Sequence, residues 1–193
     1  MKLTKEYWSS RYIENNIPWD VGAITTPIKT YIDQLTNKDL KILIPGVGSG
    51  YELTYFYNNG FTNVYGLDIS NEPINVFKKN NPHFPENQLI VDDFFNHNQT
   101  YDLIIEQTFF CALTPDLRPL YAAKMNQLLK NNGKLVGLLF AFPLTKQGPP
   151  FGGSIKEYES LFTPHFSINT LEICYNSIKP REKNELFIQF KKI

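Results

Sequence analysis

Three glycines at alternate positions, Gly46, Gly48 and Gly50, follow the apolar run Ile42-Leu43-Ile44 and precede Leu53-Thr54-Tyr55-Phe56-Tyr57, which has helical character. A buried strand, a glycine turn and a helix N-terminus together bring main chain close to a ligand. A second strand-like run ends at Asp68, about 20 residues on, where a carboxylate can accept from both hydroxyls of a ribose. A third ends in Asp92-Asp93-Phe94. The glycine spacing is Gly-x-Gly-x-Gly, whereas a dinucleotide fingerprint needs glycine at position 51, which is Tyr51. The pattern therefore points to a nucleoside ligand without a pyrophosphate, of which S-adenosylmethionine is the obvious candidate. It counts against a nicotinamide oxidoreductase. The alternative, on these residues alone, is a tight structural turn with Asp68 capping the helix that follows.

The elements that would position these groups alternate between strand and helix. Thr4 can cap a first helix with Trp8, Tyr12 and Ile13 along one face, and Ile17-Pro18-Trp19-Asp20 breaks it. Thr26-Pro27 opens a second helix that reaches Leu35. Strands are expected at 42–44, 63–67, 88–91, 101–107 and 134–141, with helices after the glycine turn, after Ser70 and from Thr114 to Lys130. Asn131-Asn132-Gly133 reads as a C-cap. Ser154 to Leu161 is a short capped helix, and the segments 166–175 and 185–191 read as an antiparallel edge hairpin. The expected fold is α/β and Rossmann-like: a doubly wound, mostly parallel sheet of seven strands preceded by two N-terminal helices. One domain over 1–193 is expected, with residues 1–36 as its N-terminal helical part.

Composition agrees with a globular chain of 193 residues with 42% hydrophobic residues and zero formal charge. Without a Lys/Arg block, nothing argues for nucleic acid or an acidic membrane surface. Cys111 and Cys174 form neither a disulfide framework nor a metal spacing, so no metal is expected. No run approaches the ~18 apolar residues of a membrane span, and the first residues carry no leader-like apolar stretch. The expectation is a cytoplasmic monomer with a small-molecule substrate.

The chain also resembles the thiopurine S-methyltransferase family, and most closely its thiol/halide methyltransferase branch. The resemblance is carried in order by Trp8-x3-Tyr12, Ile17-Pro18-Trp19-Asp20-Val21-Gly22, Ile44-Pro45-Gly46-Val47-Gly48, Leu67-Asp68-Ile69-Ser70 and Asp93-Phe94-Phe95. It continues through Thr108-Phe109-Phe110-Cys111-Ala112-Leu113, Arg118-Pro119 and Gly148-Pro149-Pro150-Phe151. It implies an enzyme that uses S-adenosylmethionine, releases S-adenosylhomocysteine and methylates a small sulfur or halide nucleophile. Residues 1–36 would form a lid in which Trp8, Tyr12 and Trp19 fold over the cofactor, and Gly46, Val47 and Gly48 would lie against its methionyl part. Asp68 and Ile69 would hold the ribose, and Asp92, Asp93 and Phe94 would flank the adenine. Gln107 stands where relatives put Tyr or Arg near the cofactor, and Val47 replaces their usual Cys.

Methyl transfer from a sulfonium needs alignment and exclusion of water more than acid or base help. No Ser-His-Asp or Cys-His set is evident, and no side chain is assigned a catalytic role beyond positioning. His83, His97 and His165 read as surface or capping residues, and Cys111 as a packed thiol. The expected acceptor wall is Phe110, Phe140, Pro150 and Phe151, with Arg181 as a cation able to attract an anionic nucleophile. For Phe110 ordinary core is an equal reading, and for Arg181 an exposed loop is the plainer one. An aromatic thiol such as a thiopurine is the alternative acceptor, and a cofactor-binding scaffold without turnover is the alternative of another class.

Overall fold

The structure, a computed structural model, describes residues 3–193. Helix α1 (Lys5–Ile13) starts where the Thr4 hydroxyl oxygen accepts from the Tyr7 N–H. Helix α2 (Thr26–Asp33) carries Pro27 in its first turn, where a missing N–H costs nothing. It stops short of Leu35, and Ile13 is exposed rather than on a buried face. Then come β1 (Ile42–Pro45), α3 (Tyr51–Asn58), β2 (Val64–Asp68), α4 (Asn71–Asn80) and β3 (Leu89–Val91). The second half holds β4 (Tyr101–Gln107), α5 (Arg118–Leu128), β5 (Leu129–Phe140), α6 (Ile155–Phe162), β6 (Phe166–Ile173) and β7 (Glu185–Lys192).

The seven strands form a mixed, mostly parallel sheet in the order β3-β2-β1-β4-β5-β7-β6. Two compact units make up the chain, one ending at His97 and the other spanning Asn98–Ile193. In the first, β1 runs parallel to β2 and β2 parallel to β3. The strand β1 is buried along its whole length, as its unbroken Ile-Leu-Ile run requires. Helix α4 begins at Ser70, whose hydroxyl accepts from the Glu72 N–H.

In the second unit, β4 is parallel to β5, while β7 is antiparallel to both β5 and β6. The expected edge hairpin is thus present, with β7 inside and β6 at the edge. One boundary differs from the sequence reading. Helix α5 ends at Leu128, not Lys130, and β5 begins at once with Leu129. Tyr101 faces Leu129 whereas Leu103 faces Lys134, so the strand bulges over 130–133, with Asn132 at φ +63°. Asn-Asn-Gly suits a bulge as well as a helix cap, because both need left-handed backbone. Burial decides between them here, since Leu128 and Leu129 are both inside.

The core of this unit is aromatic. Phe110, Tyr121, Tyr158, Phe162, Phe166 and Phe190 are fully buried or nearly so, and their rings meet mostly edge to face at 4.9–6.3 Å. Among the described residues no helix is long and apolar enough to cross a membrane, and no cluster of His, Cys, Asp and Glu could hold a metal ion.

Candidate functional site

In the first unit the glycine turn leaves β1 with Gly46, Gly48 and Gly50 all at positive φ, +62°, +52° and +73°. Only glycine holds such a run without strain. Val47 is buried between these turns, and its N–H donates to the Leu67 carbonyl at the end of β2. Asp68 follows directly. Its Oδ2 accepts from the Gly48 N–H at 3.2 Å and its Oδ1 from the Ser70 N–H at 2.9 Å. One carboxylate thus ties the glycine turn to the start of α4. Burial pushes its pKa up to about 6 against the opposing pull of those N–H donors. The Ile69 N–H pulls on the same carboxylate, which has roughly four acceptor directions, so acceptor capacity toward a ligand hydroxyl remains. Ile69 is half-buried beside it.

Asp92 joins the same end of the sheet, its N–H donating to the Asp68 carbonyl at 3.0 Å. Asp92 Oδ1 accepts from the Asp93 N–H, and Asp93 Oδ1 from the Phe95 N–H. Both carboxylates shape their own turn, and Phe94 is buried against Phe95.

The N-terminal segment reaches the glycine turn. A Cβ added at Gly48 would lie 3.0 Å from the Tyr12 hydroxyl, so a side chain there would push the phenol back by a few tenths of an ångström. Burial raises the Tyr12 pKa, with Asp68 adding a like-charge contribution, and the Trp19 ring N–H donates to the same oxygen. Trp19 packs edge-on against Trp8 at 5.5 Å and Tyr12 at 6.1 Å, with the Arg11 guanidinium 5.5 Å from its ring centre. Asp20 fastens this cluster. Its carboxylate accepts from the hydroxyls of Ser49 and Tyr51 and from the Gly22 N–H. The sequence reading missed this latch. The signal was present, since Asp20 stands in the Pro-Trp-Asp segment and Ser49 inside the glycine turn.

In the second unit β4 delivers Glu106 and Gln107. Glu106 is fully buried; its Oε1 accepts from the N–H groups of Phe109 and Phe110 at 2.8 and 2.9 Å, and its Oε2 from the Tyr121 hydroxyl. Burial pushes its pKa up to about 7, against those donors. Thr108, between the strand and these two amides, sits at φ +58°, a left-handed conformation that a β-branched residue takes only under strain. Glu106 holds that turn. Nothing in the sequence reading singled it out, although a carboxylate inside the apolar run Leu103-Ile104-Ile105 was a visible anomaly.

Gln107 and Thr108 line a small cavity with Cys111, Leu138, Phe140 and Glu185. It has room for about one water molecule. Arg181 stands behind it. It is buried, not on an exposed loop: Nη1 lies 3.4 Å from Glu185 Oε1 and the guanidinium 5.8 Å from the Phe140 ring centre. The expected acceptor wall divides accordingly. Phe140 lines the cavity. Phe110 does not; it lies in the aromatic core, with the Arg118 guanidinium 4.7 Å from its ring centre. Phe151 is buried and donates its N–H to the Cys111 carbonyl, which braces the wall from outside, while Pro150 is exposed. Cys111 is a buried free thiol whose pKa is raised by burial. Of the histidines, His97 is buried and His83 is exposed.

Comparison with known proteins gives this geometry a family. The sequence profile of "Thiopurine S-methyltransferase (TPMT)" matches residues 3–191. A probable thiol methyltransferase 2 of Arabidopsis thaliana is 31% identical over 96% of this chain and 84% of its own. Thiocyanate methyltransferase 1 of Brassica oleracea is 29% identical over the same shares. Among solved structures, a Burkholderia thailandensis 1,6-didemethyltoxoflavin-N1-methyltransferase superposes with a TM-score of 0.79 at 17% identity, over 97% of this chain and 86% of that one. The magnesium protoporphyrin IX methyltransferase of Synechocystis PCC 6803 gives 0.73 at 13% identity, over 98% and 95%. The two structural matches establish the fold, and the profile and the sequence relatives establish the lineage. The chain belongs to the thiopurine S-methyltransferase family and is an S-adenosylmethionine-dependent methyltransferase.

Proposed function

We propose that this methyltransferase acts on a small sulfur or halide nucleophile: a thiol, hydrosulfide, thiocyanate or iodide. The observation that carries the reading is the size of the cavity bounded by Gln107, Thr108, Cys111, Leu138, Phe140 and Glu185. Room for about one water molecule falls far short of a purine ring, which leaves acceptors of few atoms. The thiol and thiocyanate methyltransferases among its relatives support the same class. An acceptor screen followed by S-adenosylhomocysteine release tests it. Turnover is expected on hydrosulfide, thiocyanate and iodide and absent on thiopurines; turnover on aromatic thiols alone would overturn it.

In this reading the residues of the first unit hold the cofactor, which supplies the activated methyl group. The glycine turn fits it: main chain at Gly46–Gly48 can approach the methionyl part, and Asp68 has acceptor capacity left for the ribose hydroxyls. Asp92, Asp93, Phe94 and Ile69 complete the adenosine side. Trp8, Tyr12 and Trp19 form the cover, and Asp20 fixes it to the turn. In the second unit Gln107 lines the small cavity and Arg181 pairs with Glu185 in its wall. The chain works as one methyltransferase domain, as a monomer, in the cytoplasm.

The cover makes a testable contribution. Trp19→Ala removes both edge-on ring contacts and the Arg11 contact. An aromatic face over a sulfonium contributes about 0.5–2 kcal/mol, so cofactor affinity is expected to fall about tenfold in titration calorimetry. Trp19 is only half-buried, so the melting temperature should change little. Unaltered affinity would rule out a cover role for this segment.

A further inference from the structure

Glu185 is a carboxylate in the wall of a cavity that anions are supposed to enter. It is almost entirely buried, at 1% exposure, yet it reaches the cavity with Gln107, Thr108, Cys111 and Phe140. Its partners leave it room to act. The Ser177 hydroxyl donates to Oε2 at 2.8 Å, and Arg181 Nη1 approaches Oε1 only to 3.4 Å. The ion pair makes the wall neutral overall, so the cavity is not a simple anion trap. Phe140, paired with Glu185 in the β5–β7 ladder, stands beside it in the same wall.

We infer that Glu185 is the proton acceptor for a protonated thiol substrate, which makes thiols, rather than halides or thiocyanate, the acceptors this cavity favours. The inference rests on the small-nucleophile reading above. In the step, the thiol S–H bond breaks and its proton goes to the Glu185 carboxylate. The thiol sulfur uses the freed electron pair to form the new S–CH3 bond. The bond from that methyl to the sulfonium breaks, its electron pair staying on the sulfur of S-adenosylhomocysteine. As Glu185 becomes neutral, its pairing with Arg181 weakens, and the charge of the guanidinium behind the wall offsets that of the developing thiolate. Burial raises the Glu185 pKa, while Ser177 and Arg181 pull it down. The other ionisable group on the cavity is the Cys111 thiol, on which Glu106, Arg181 and Arg118 also act. The raised pKa of Cys111 keeps that thiol protonated and out of competition with Glu185 for the role of base.

The test compares methanethiol with iodide, which has no proton to lose, in the full-length chain and its Glu185→Gln variant. An alkanethiol is at most about 3% ionised at pH 7, given a thiol pKa of ≈ 8.5 or above. Without a base, only that fraction reacts. The ratio of kcat/KM for methanethiol to that for iodide is therefore expected to fall at least about 30-fold at pH 7 in the variant. Its methanethiol rate should then climb about tenfold per pH unit as solvent ionises the thiol, where the parent chain is much flatter. Glu185→Asp should restore part of the ratio. Equal losses on both acceptors at every pH, with cofactor binding intact, would overturn the role of Glu185 and leave the acceptor class standing. Absence of turnover on either acceptor by the parent chain would overturn both.

Discussion

An Asp68→Ala chain is expected to bind S-adenosylmethionine about 100-fold more weakly than the parent in titration calorimetry. The carboxylate is proposed to accept from both ribose hydroxyls, and hydrogen bonds to a charged group contribute about 1.5–3 kcal/mol each. Losing two of them gives about 3 kcal/mol, or roughly 100-fold. The same carboxylate also holds the Gly48 and Ser70 N–H groups, so its loss loosens the turn itself. The pH dependence follows from burial. With the Asp68 pKa pushed up to about 6, the carboxylate is ionised at pH 7 and protonated at pH 5. Protonation turns an acceptor into a donor at the position that must accept. Parent affinity should thus fall as the pH drops through about 6, and the alanine variant should lose that dependence. Equal dissociation constants for the two chains would remove Asp68 from the cofactor site.

What the sequence disclosed and what it hid differ in physical kind. The glycine turn was legible because positive φ at 46, 48 and 50 dictates the residue type. The helix starts at Thr4, Ser70 and Ser154 were legible because a cap is a local hydrogen bond. Features that depend on distant partners were not. Arg181 reads as solvated within Lys-Pro-Arg-Glu-Lys, and only the folded chain shows Phe140 and Glu185 covering it. Phe110 could be wall or core until Tyr121, Tyr158 and Phe162 were seen around its ring. Asp20 acquires a role only when the loop after α1 meets Ser49 and Tyr51. The start of β5 was misplaced because Asn-Asn-Gly supports two local structures and the neighbouring strand chooses between them.

Removing the Glu106 carboxylate is expected to cost the most stability of any change considered. Glu106→Ala strands three buried donors, the N–H groups of Phe109 and Phe110 and the Tyr121 hydroxyl. At about 1–3 kcal/mol for each orphaned group, the loss is about 4 kcal/mol, and Thr108 loses the contacts that hold its left-handed backbone. For a chain of this size that is a fall of roughly 8–16 °C in Tm, with methyl transfer lost as the cavity rim at Thr108 and Cys111 relaxes. Glu106→Gln separates charge from connectivity. Its oxygen can still accept from both amides, and its NH2 can donate to Tyr121. The charge itself has a sign that can be checked. Burial raises the pKa from 4.5 to about 7, so the native chain binds this proton more tightly than the unfolded chain does. The stabilisation is full below about pH 4.5 and is lost as the pH rises through about 7. Between pH 5.5 and pH 8 the parent chain should lose about 2 kcal/mol, or roughly 4–8 °C, through this group. The glutamine variant should show that much less pH dependence and should melt above the parent at pH 8. If the two chains melt in parallel across this range, Glu106 is not the group that titrates, and its carboxylate serves only to bind the two amides and Tyr121.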